Sequence, residues 1–243
     1  MDRIFQEGSF LIPKKEYLSV WPVIAVDQYT SQPDYWKNIK EIVGNSPSSL
    51  NCVLPEVYLN EGDTSQIERI QKTMREYLKS DIFEEYPSSY IYIERTVSSG
   101  KVRKGVLGTI DLECYDYKDR TDLPIRATEK TVIERLPSRI AIRSGAPMEL
   151  SHVILLCDDR KKQLIESIDP QTLPLLYDLD LMSGGGHIRG WLVAGKDAEA
   201  FNQRLEQYYK DKGDSTFLFA AGDGNHSIAA AREVYLELKK ANP

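Results

Sequence analysis

The sequence is poor in cysteine, has no excess of positive charge and contains no long apolar run. Its three cysteines, Cys52, Cys114 and Cys157, lie far apart and fit neither a zinc spacing nor a disulfide framework. Because chains without disulfides are typical of reducing compartments, we expect a cytoplasmic location. The formal net charge of −6 argues against a broad nucleic-acid surface. With no bilayer-length run and no secretory signal, we expect no membrane partner. The acidic balance leads us to expect no nucleic-acid partner.

What the chain does contain is an ordinary globular composition with strand and helix patterns intermixed. Hydrophobic residues make up 41% and charged residues 28% of its 243 residues. Residues 89–97 and 102–114 alternate like strands on either side of a turn. Residues 198–209 repeat apolar side chains at helical spacing. The mixture predicts an α+β fold, a mixed sheet with flanking helices, in a single domain over residues 1–243.

The most informative stretch is residues 217–240, FLFAAGDGNHSIAAAREVYLELKK. It predicts a short buried strand over 217–221, a glycine turn over 222–227 and then a helix. Glycine lets a backbone approach a ligand closely, and the first amides of a helix point outward, so this order suits an anion. Asp223 can hold magnesium or a substrate hydroxyl, and His226 can contact a phosphate or act as acid or base. The alternative is a tight turn in which His226 only caps the helix.

A second candidate is the charged segment 126–131, RATEKT. It opens a stretch, 128–142, that looks mostly helical with a break at Pro137. Its basic side chains are suited to grip a phosphate or carboxylate, its threonines add hydroxyl contacts, and its acid can serve as base or metal ligand. The alternative, which the residues alone favour, is a solvated helix start. The candidate residues are Arg126, Thr128, Glu129 and Lys130.

The third candidate is the glycine-dense segment 183–190, SGGGHIRG, which precedes a short apolar strand. It lacks the Gly-Lys-Ser/Thr ending of a P-loop, so it is not a Walker-type phosphate loop. Its glycines, with His187 and Arg189, are compatible with a lid over a substrate. The alternative is a flexible connection without a function of its own.

Three blocks of the sequence together resemble a known family. They are GVLGTIDLECYDY, IRATEKTVIERLPSRIAIRSGAPMELSHVILLCDD and FAAGDGNHSIAAA. With them the chain looks like the domain-of-unknown-function 1015 family of bacteria and archaea, from about Trp21 onward. Members typically run longer than this chain, so the resemblance implies that a C-terminal part of the family's full length is lacking here.

The glycine turn is also similar to the Asp-Gly-His-His-Arg type of turn in the ParB/sulfiredoxin-like superfamily. Proteins of that superfamily bind nucleotides, and some phosphorylate free serine. The resemblance carries over Asp223, Gly224 and His226 by position and implies that Gly224 and the amides after it cradle a phosphate. It does not carry over the arginine, because Ser227 stands in its place. Glu129 is a candidate catalytic acid or base that no matched motif supports.

From these observations we expect a nucleotide-binding small-molecule phosphotransferase, similar to a free-serine kinase, that uses ATP or ADP with magnesium. Asp223, His226 and Glu129 are the candidate catalytic residues, and Asp223 is also the candidate magnesium ligand. The alternative is a regulatory protein that binds a nucleotide or another anion without turnover. The candidate ligand-binding residues are Gly222, Gly224, Asn225, Ser227, Arg126, Thr128, Lys130, His187 and Arg189.

Overall fold

The computed structural model describes residues 4–58, 64–118, 120–150, 153–213 and 215–242, and it has the predicted α+β fold. The helices are α1 (Pro33–Val43), α2 (Thr64–Lys79), α3 (Leu136–Arg143), α4 (Lys196–Asp211) and α5 (Asn225–Ala241). The strands are β1 (Phe5–Gln6), β2 (Gly8–Pro13), β3 (Phe83–Thr96), β4 (Val102–Leu107), β5 (Thr109–Ile110), β6 (Tyr115–Asp116), β7 (Ile125–Ala127), β8 (Ile154–Cys157), β9 (Leu175–Asp180), β10 (His187–Ala194) and β11 (Phe219–Asp223).

Contacts divide the chain into two compact units. The first unit comprises Met1–Gln6, Gly108–Ser167 and Lys196–Pro243, and the second comprises Glu7–Leu107 and Ile168–Gly195. Whether the chain forms one domain, as the sequence predicts, stays a prediction, because a division of contacts does not tell whether each unit folds alone. None of the helices in the described ranges combines the length and the apolar character that crossing a bilayer requires.

The second unit is built on an antiparallel sheet with the strand order β2-β3-β10-β9, with β4 also paired to β3. The middle of β3 is its core, since Tyr90, Ile91 and Tyr92 are fully buried. In the predicted hairpin turn between β3 and β4, the Val97 amide donates to the Lys101 carbonyl at 3.0 Å.

The first unit contains a mixed four-stranded sheet with the order β6-β7-β11-β8. β6, β7 and β11 run parallel, whereas β8 pairs antiparallel with β11. One face of the sheet is packed: Phe219 of β11 contacts the rings of Tyr208 and Tyr209 in α4. α5 buries its own apolar face, including Ile228 and Val234, and packs against α3. The mixed sheet that the sequence predicts is therefore confirmed in this unit.

The prediction for 128–142 needs correction at its start and at Pro137. Residues 128–132 are irregular, whereas Ile133–Arg135 forms a 3₁₀ turn and α3 continues from Leu136, so most of the stretch is helical as predicted. Pro137 does not break this helix but lies in its first turn, where its missing amide costs no hydrogen bond.

Candidate functional site

The carboxyl ends of two parallel strands bring two of the sequence candidates together. β7 pairs with β11 in the register Ile125 to Phe219 and Ala127 to Ala221. The segment 128–132 that follows β7 and the turn that follows β11 therefore leave the sheet at the same edge. In open sheets with parallel strands, ligands commonly bind in the crevice outside the carboxyl ends of the strands.

The turn after β11 is shorter than the sequence predicts. β11 continues through Asp223 and α5 starts at Asn225, so Gly224 alone separates strand from helix. Gly224 adopts a φ of +77°, which glycine tolerates far better than other residues. Its amide donates to Asp223 Oδ1 at 2.8 Å, and its carbonyl accepts the amides of Ser227 and Ile228 at 3.0 Å. The predicted cradle is thus the N-terminus of a 17-residue helix.

Gly222 lies within the strand rather than in the turn. A Cβ atom at this position would lie 2.7 Å from Leu156 Cγ on the neighbouring strand β8. A side chain at position 222 would require the exposed Leu156 side chain to move, because that side chain occupies the space over the glycine backbone. The sequence identified the glycine but not its neighbour, because an exposed leucine in a short apolar strand gives no separate signal.

A chain of hydrogen bonds connects the two segments. The Thr128 hydroxyl donates to the Ala221 carbonyl at 2.5 Å. Asn225 Nδ2 faces both Thr128 Oγ1, at 3.4 Å, and Glu129 Oε1, at 3.5 Å. Because the only hydroxyl proton of Thr128 goes to Ala221, the Asn225 atom that faces Thr128 must be the donor nitrogen. The network holds the exposed Glu129 carboxylate beside the start of α5.

The other end of the Asn225 amide is left without a partner. Asn225 is only 4% exposed, and its Oδ1 has no hydrogen-bond partner among the described residues. The Thr131 hydroxyl, on the adjoining segment, is likewise buried and unpartnered in the described part of the chain. Unsatisfied buried polar atoms are rare in folded proteins, so each one in a native structure calls for an explanation.

His226 joins the same two segments from the helix side. Its Nε2 accepts the backbone amide of Val132 at 3.1 Å. A ring nitrogen that accepts a hydrogen bond carries no proton, so in this geometry the imidazole is neutral with its proton on Nδ1. His226 therefore holds segment 128–132 against α5. Its predicted roles as acid, base or stabiliser of developing charge stay predictions.

The two basic residues of segment 126–131 differ in their surroundings. Arg126 lies within β7, where its Nε donates to the Leu123 carbonyl at 3.0 Å and its Nη2 donates to Thr216 Oγ1 at 2.8 Å. Its guanidinium also lies over the Phe217 ring. These contacts hold Arg126 back along the strand, whereas Lys130 is exposed on the segment that leaves the edge. Lys130 is the better placed of the two to reach an anion there.

The third segment, 183–190, belongs to the second unit. His187 Nδ1 lies 2.7 Å from Asp180 Oδ1, and its Nε2 lies 2.7 Å from Asp178 Oδ1. Arg189 Nη2 donates to Glu94 Oε2 at 2.7 Å. The His187 and Arg189 nitrogens that would bind a phosphate are therefore already paired with carboxylates. A ligand-binding role for His187 and Arg189 stays a prediction.

The contacts of His187 with Asp178 and Asp180, here called the His187 clamp, make protein stability depend on pH. Because ionised carboxylates only accept hydrogen bonds, both ring nitrogens must be protonated, and the hydrogen bond to Asp180 raises the pKa of His187 above 6.5. Because the pKa of His187 is raised, the clamp gives its full stabilisation at pH values below the ordinary pKa of histidine. This contribution is lost as the pH rises through the raised value. We expect the gap in thermal midpoint between wild type and His187→Gln to narrow from about pH 6 to about pH 9. A gap that is constant over that range would contradict the clamp.

The potential metal ligands are sparse. In the parts of the chain that the structure describes, no group of three or more histidine, cysteine, aspartate or glutamate side chains is placed to hold a metal ion. Asp223 offers an exposed carboxylate at the edge of the sheet, next to Gly224. A magnesium ion needs only one or two protein carboxylates when substrate phosphates and water supply the other ligands. Asp223 therefore stays a candidate magnesium ligand.

Comparison with known proteins gives one family. The model of the family described as protein of unknown function DUF1015 matches residues 10–243, which include both segments of the site. No curated protein and no solved structure matches the chain.

Proposed function

The chain belongs to the DUF1015 family, and we propose that it binds a nucleotide where β7 and β11 end and transfers a phosphoryl group to a small molecule. The observation that carries this proposal is the meeting of segment 128–132 with the start of α5 through Thr128, Asn225 and His226. An acid, a glycine turn and a helix N-terminus then lie at one edge. Phosphoryl transfer depends on such positioning and on charge stabilisation more than on covalent chemistry by the protein.

The phosphate end of the ligand is supported by the first turn of α5. The helix dipole favours negative charge at the start of a helix, and anions commonly bind there. Asn225 Oδ1 is a buried acceptor, so it does not add to the binding of a phosphate oxygen, which is itself an acceptor. The similarity to the ParB/sulfiredoxin-like turn at Asp223, Gly224 and His226 supports a nucleotide. Ser227 replaces the superfamily's arginine, so we assign the missing positive charge to Lys130.

The transfer chemistry is assigned to the two carboxylates. Asp223 would hold magnesium together with phosphate oxygens of a bound ATP or ADP, which supplies the phosphoryl group. Glu129, held by Asn225 Nδ2 at 3.5 Å, would take the proton of the acceptor hydroxyl. Free serine is the first acceptor to try, because the related superfamily includes enzymes that phosphorylate it. Thr128 and Asn225 act by positioning Glu129.

A regulatory protein without turnover is the second candidate. The observation that favours it is the use of His226 Nε2 by the Val132 amide, because that nitrogen cannot act as a base in this geometry. In such a protein the same turn would bind a nucleotide or another anion and change the state of a partner.

Asp223→Asn separates the two functions. Asparagine keeps an acceptor oxygen for the Gly224 amide but removes the charge that magnesium needs. We expect nucleotide affinity to change less than about threefold and phosphorylated product to fall at least about a hundredfold. The assay uses the full chain with ATP or ADP, magnesium and free serine, and calorimetry measures binding. Binding without turnover in wild type favours the regulatory protein, whereas no nucleotide binding at all contradicts both functions.

A further inference from the structure

The face of the first unit's sheet that is opposite to its packed face carries exposed apolar side chains. Ile154 and Leu156 of β8 are 42% and 55% exposed, whereas Phe219 and Ala221, on the packed face of β11, are 5% and 0% exposed. Successive residues of a strand alternate between faces, so Ile154 and Leu156 lie on the same side of the sheet. Two neighbouring apolar side chains beside a polar turn offer a small apolar surface to a ligand.

This apolar surface is continuous with the glycine turn. Leu156 pairs in register with Ala220, and its side chain lies over Gly222. Ile154 pairs with Asp223, the residue directly before Gly224. Because Leu156 covers the backbone at Gly222, the exposed apolar surface beside the turn consists of the Leu156 and Ile154 side chains. A ligand anchored at the start of α5 would extend over these two side chains.

We propose that Ile154 and Leu156 form the platform on which the base of the bound nucleotide lies. This inference rests on the proposed function, because the phosphates at α5 fix where the base lies. Two side chains cover an area suited to one planar ring system and far below the roughly 800 Å² per partner of a stable protein interface. Ligand sites typically combine an apolar surface of this kind with a few placed polar groups. The platform would explain a preference for a nucleotide over a bare polyphosphate.

The test compares two ligands that carry the same phosphates. Calorimetry measures the binding of ATP and of inorganic tripolyphosphate, both with magnesium, to the full chain. We expect wild type to bind ATP more tightly than tripolyphosphate. Leu156→Asn is expected to lower the affinity for ATP by about tenfold, because partly burying one leucine contributes a free energy of this size. The affinity for tripolyphosphate is expected to stay unchanged. The matched control is Leu238→Asn, since Leu238 is 59% exposed but lies on the last turns of α5, about 20 Å from its start.

If wild type binds both ligands equally, the platform is overturned while the anion site stands. If wild type binds neither, the proposed function fails and the platform with it. An equal loss of both ligands in Leu156→Asn also overturns the platform, because that pattern indicates damage to the phosphate cradle. Ile154→Asn is a second variant for the case in which Leu156→Asn does not fold, and the same ATP-selective loss is expected of it.

Discussion

Replacing Gly224 by valine is expected to weaken the binding of ATP with magnesium by about a hundredfold. Gly224 adopts a φ of +77°, a conformation that a β-branched residue avoids. Valine would shift the turn and move the first amides of α5 away from the phosphates. A hydrogen bond to a charged group contributes about 1.5–3 kcal/mol, so losing one or two of them accounts for a change of this size. Calorimetric titration of the variant with the nucleotide measures it.

The chain provides a matched control for the strain of this substitution. Gly100, in the hairpin turn of the second unit, has a φ of +79°, and a Cβ added there meets no described atom within 4 Å. Gly100→Val therefore introduces the same backbone strain far from the turn in sequence. We expect Gly100→Val to lose stability like Gly224→Val and to bind ATP like wild type. Equal loss of affinity in both variants would refute a phosphate cradle at Gly224.

Replacing Asn225 by aspartate is expected to lower the free energy of unfolding by about 3 kcal/mol near neutral pH, the usual effect of an uncompensated buried charge. The introduced carboxylate would be almost fully buried beside the Glu129 carboxylate. The substitution would also remove the Nδ2 donor that holds Glu129. Burial and like charge raise the pKa of the new carboxyl group, so the destabilisation should shrink as the pH falls and the group takes up a proton. Urea unfolding at two pH values measures both effects.

The same variant should also lose nucleotide binding, because a negative charge at the start of α5 repels phosphate. Asn38→Asp is its control, since Asn38 is exposed on α1 and donates from Nδ2 to Ser183 Oγ at 2.9 Å. The free energy of unfolding of the control is expected to stay within about 0.5 kcal/mol of the wild-type value. Its dependence on pH is expected to match that of wild type. An Asn225→Asp protein as stable as wild type at neutral pH would refute the buried network.

The local order of strand, glycine and helix around residue 224 was predictable from sequence because each step has its own signal. An apolar run, two glycines and an alanine-rich stretch follow one another within residues 217–240. The boundaries were less certain: β11 runs through Asp223 instead of ending before Gly222. The reason is tertiary, since Gly222 fits the strand where Leu156 lies over it. Residue patterns carry no information about such a contact.

The architecture around the turn was not predictable from local patterns. The parallel pairing of β7 with β11 joins residues more than ninety positions apart, such as Ile125 and Phe219. Segment 128–132 looked helical because its residues favour a helix start. In the structure its polar groups bond elsewhere: the Thr128 hydroxyl bonds to Ala221 and the Val132 amide to His226. The chemistry-bearing residues could be named from sequence, but the pairing that brings Glu129 to Asn225 required the structure.

The most direct test of the central claim, that segment 128–132 and the turn after β11 form one nucleotide site, is a titration of the wild-type chain with ATP and magnesium, followed by the chemical shifts of backbone amides. The proposed site predicts saturable shifts in both 128–132 and 222–227, and the loss of both in Gly224→Val. Shifts that are confined to other parts of the chain, or that appear in only one of the two segments, would contradict it.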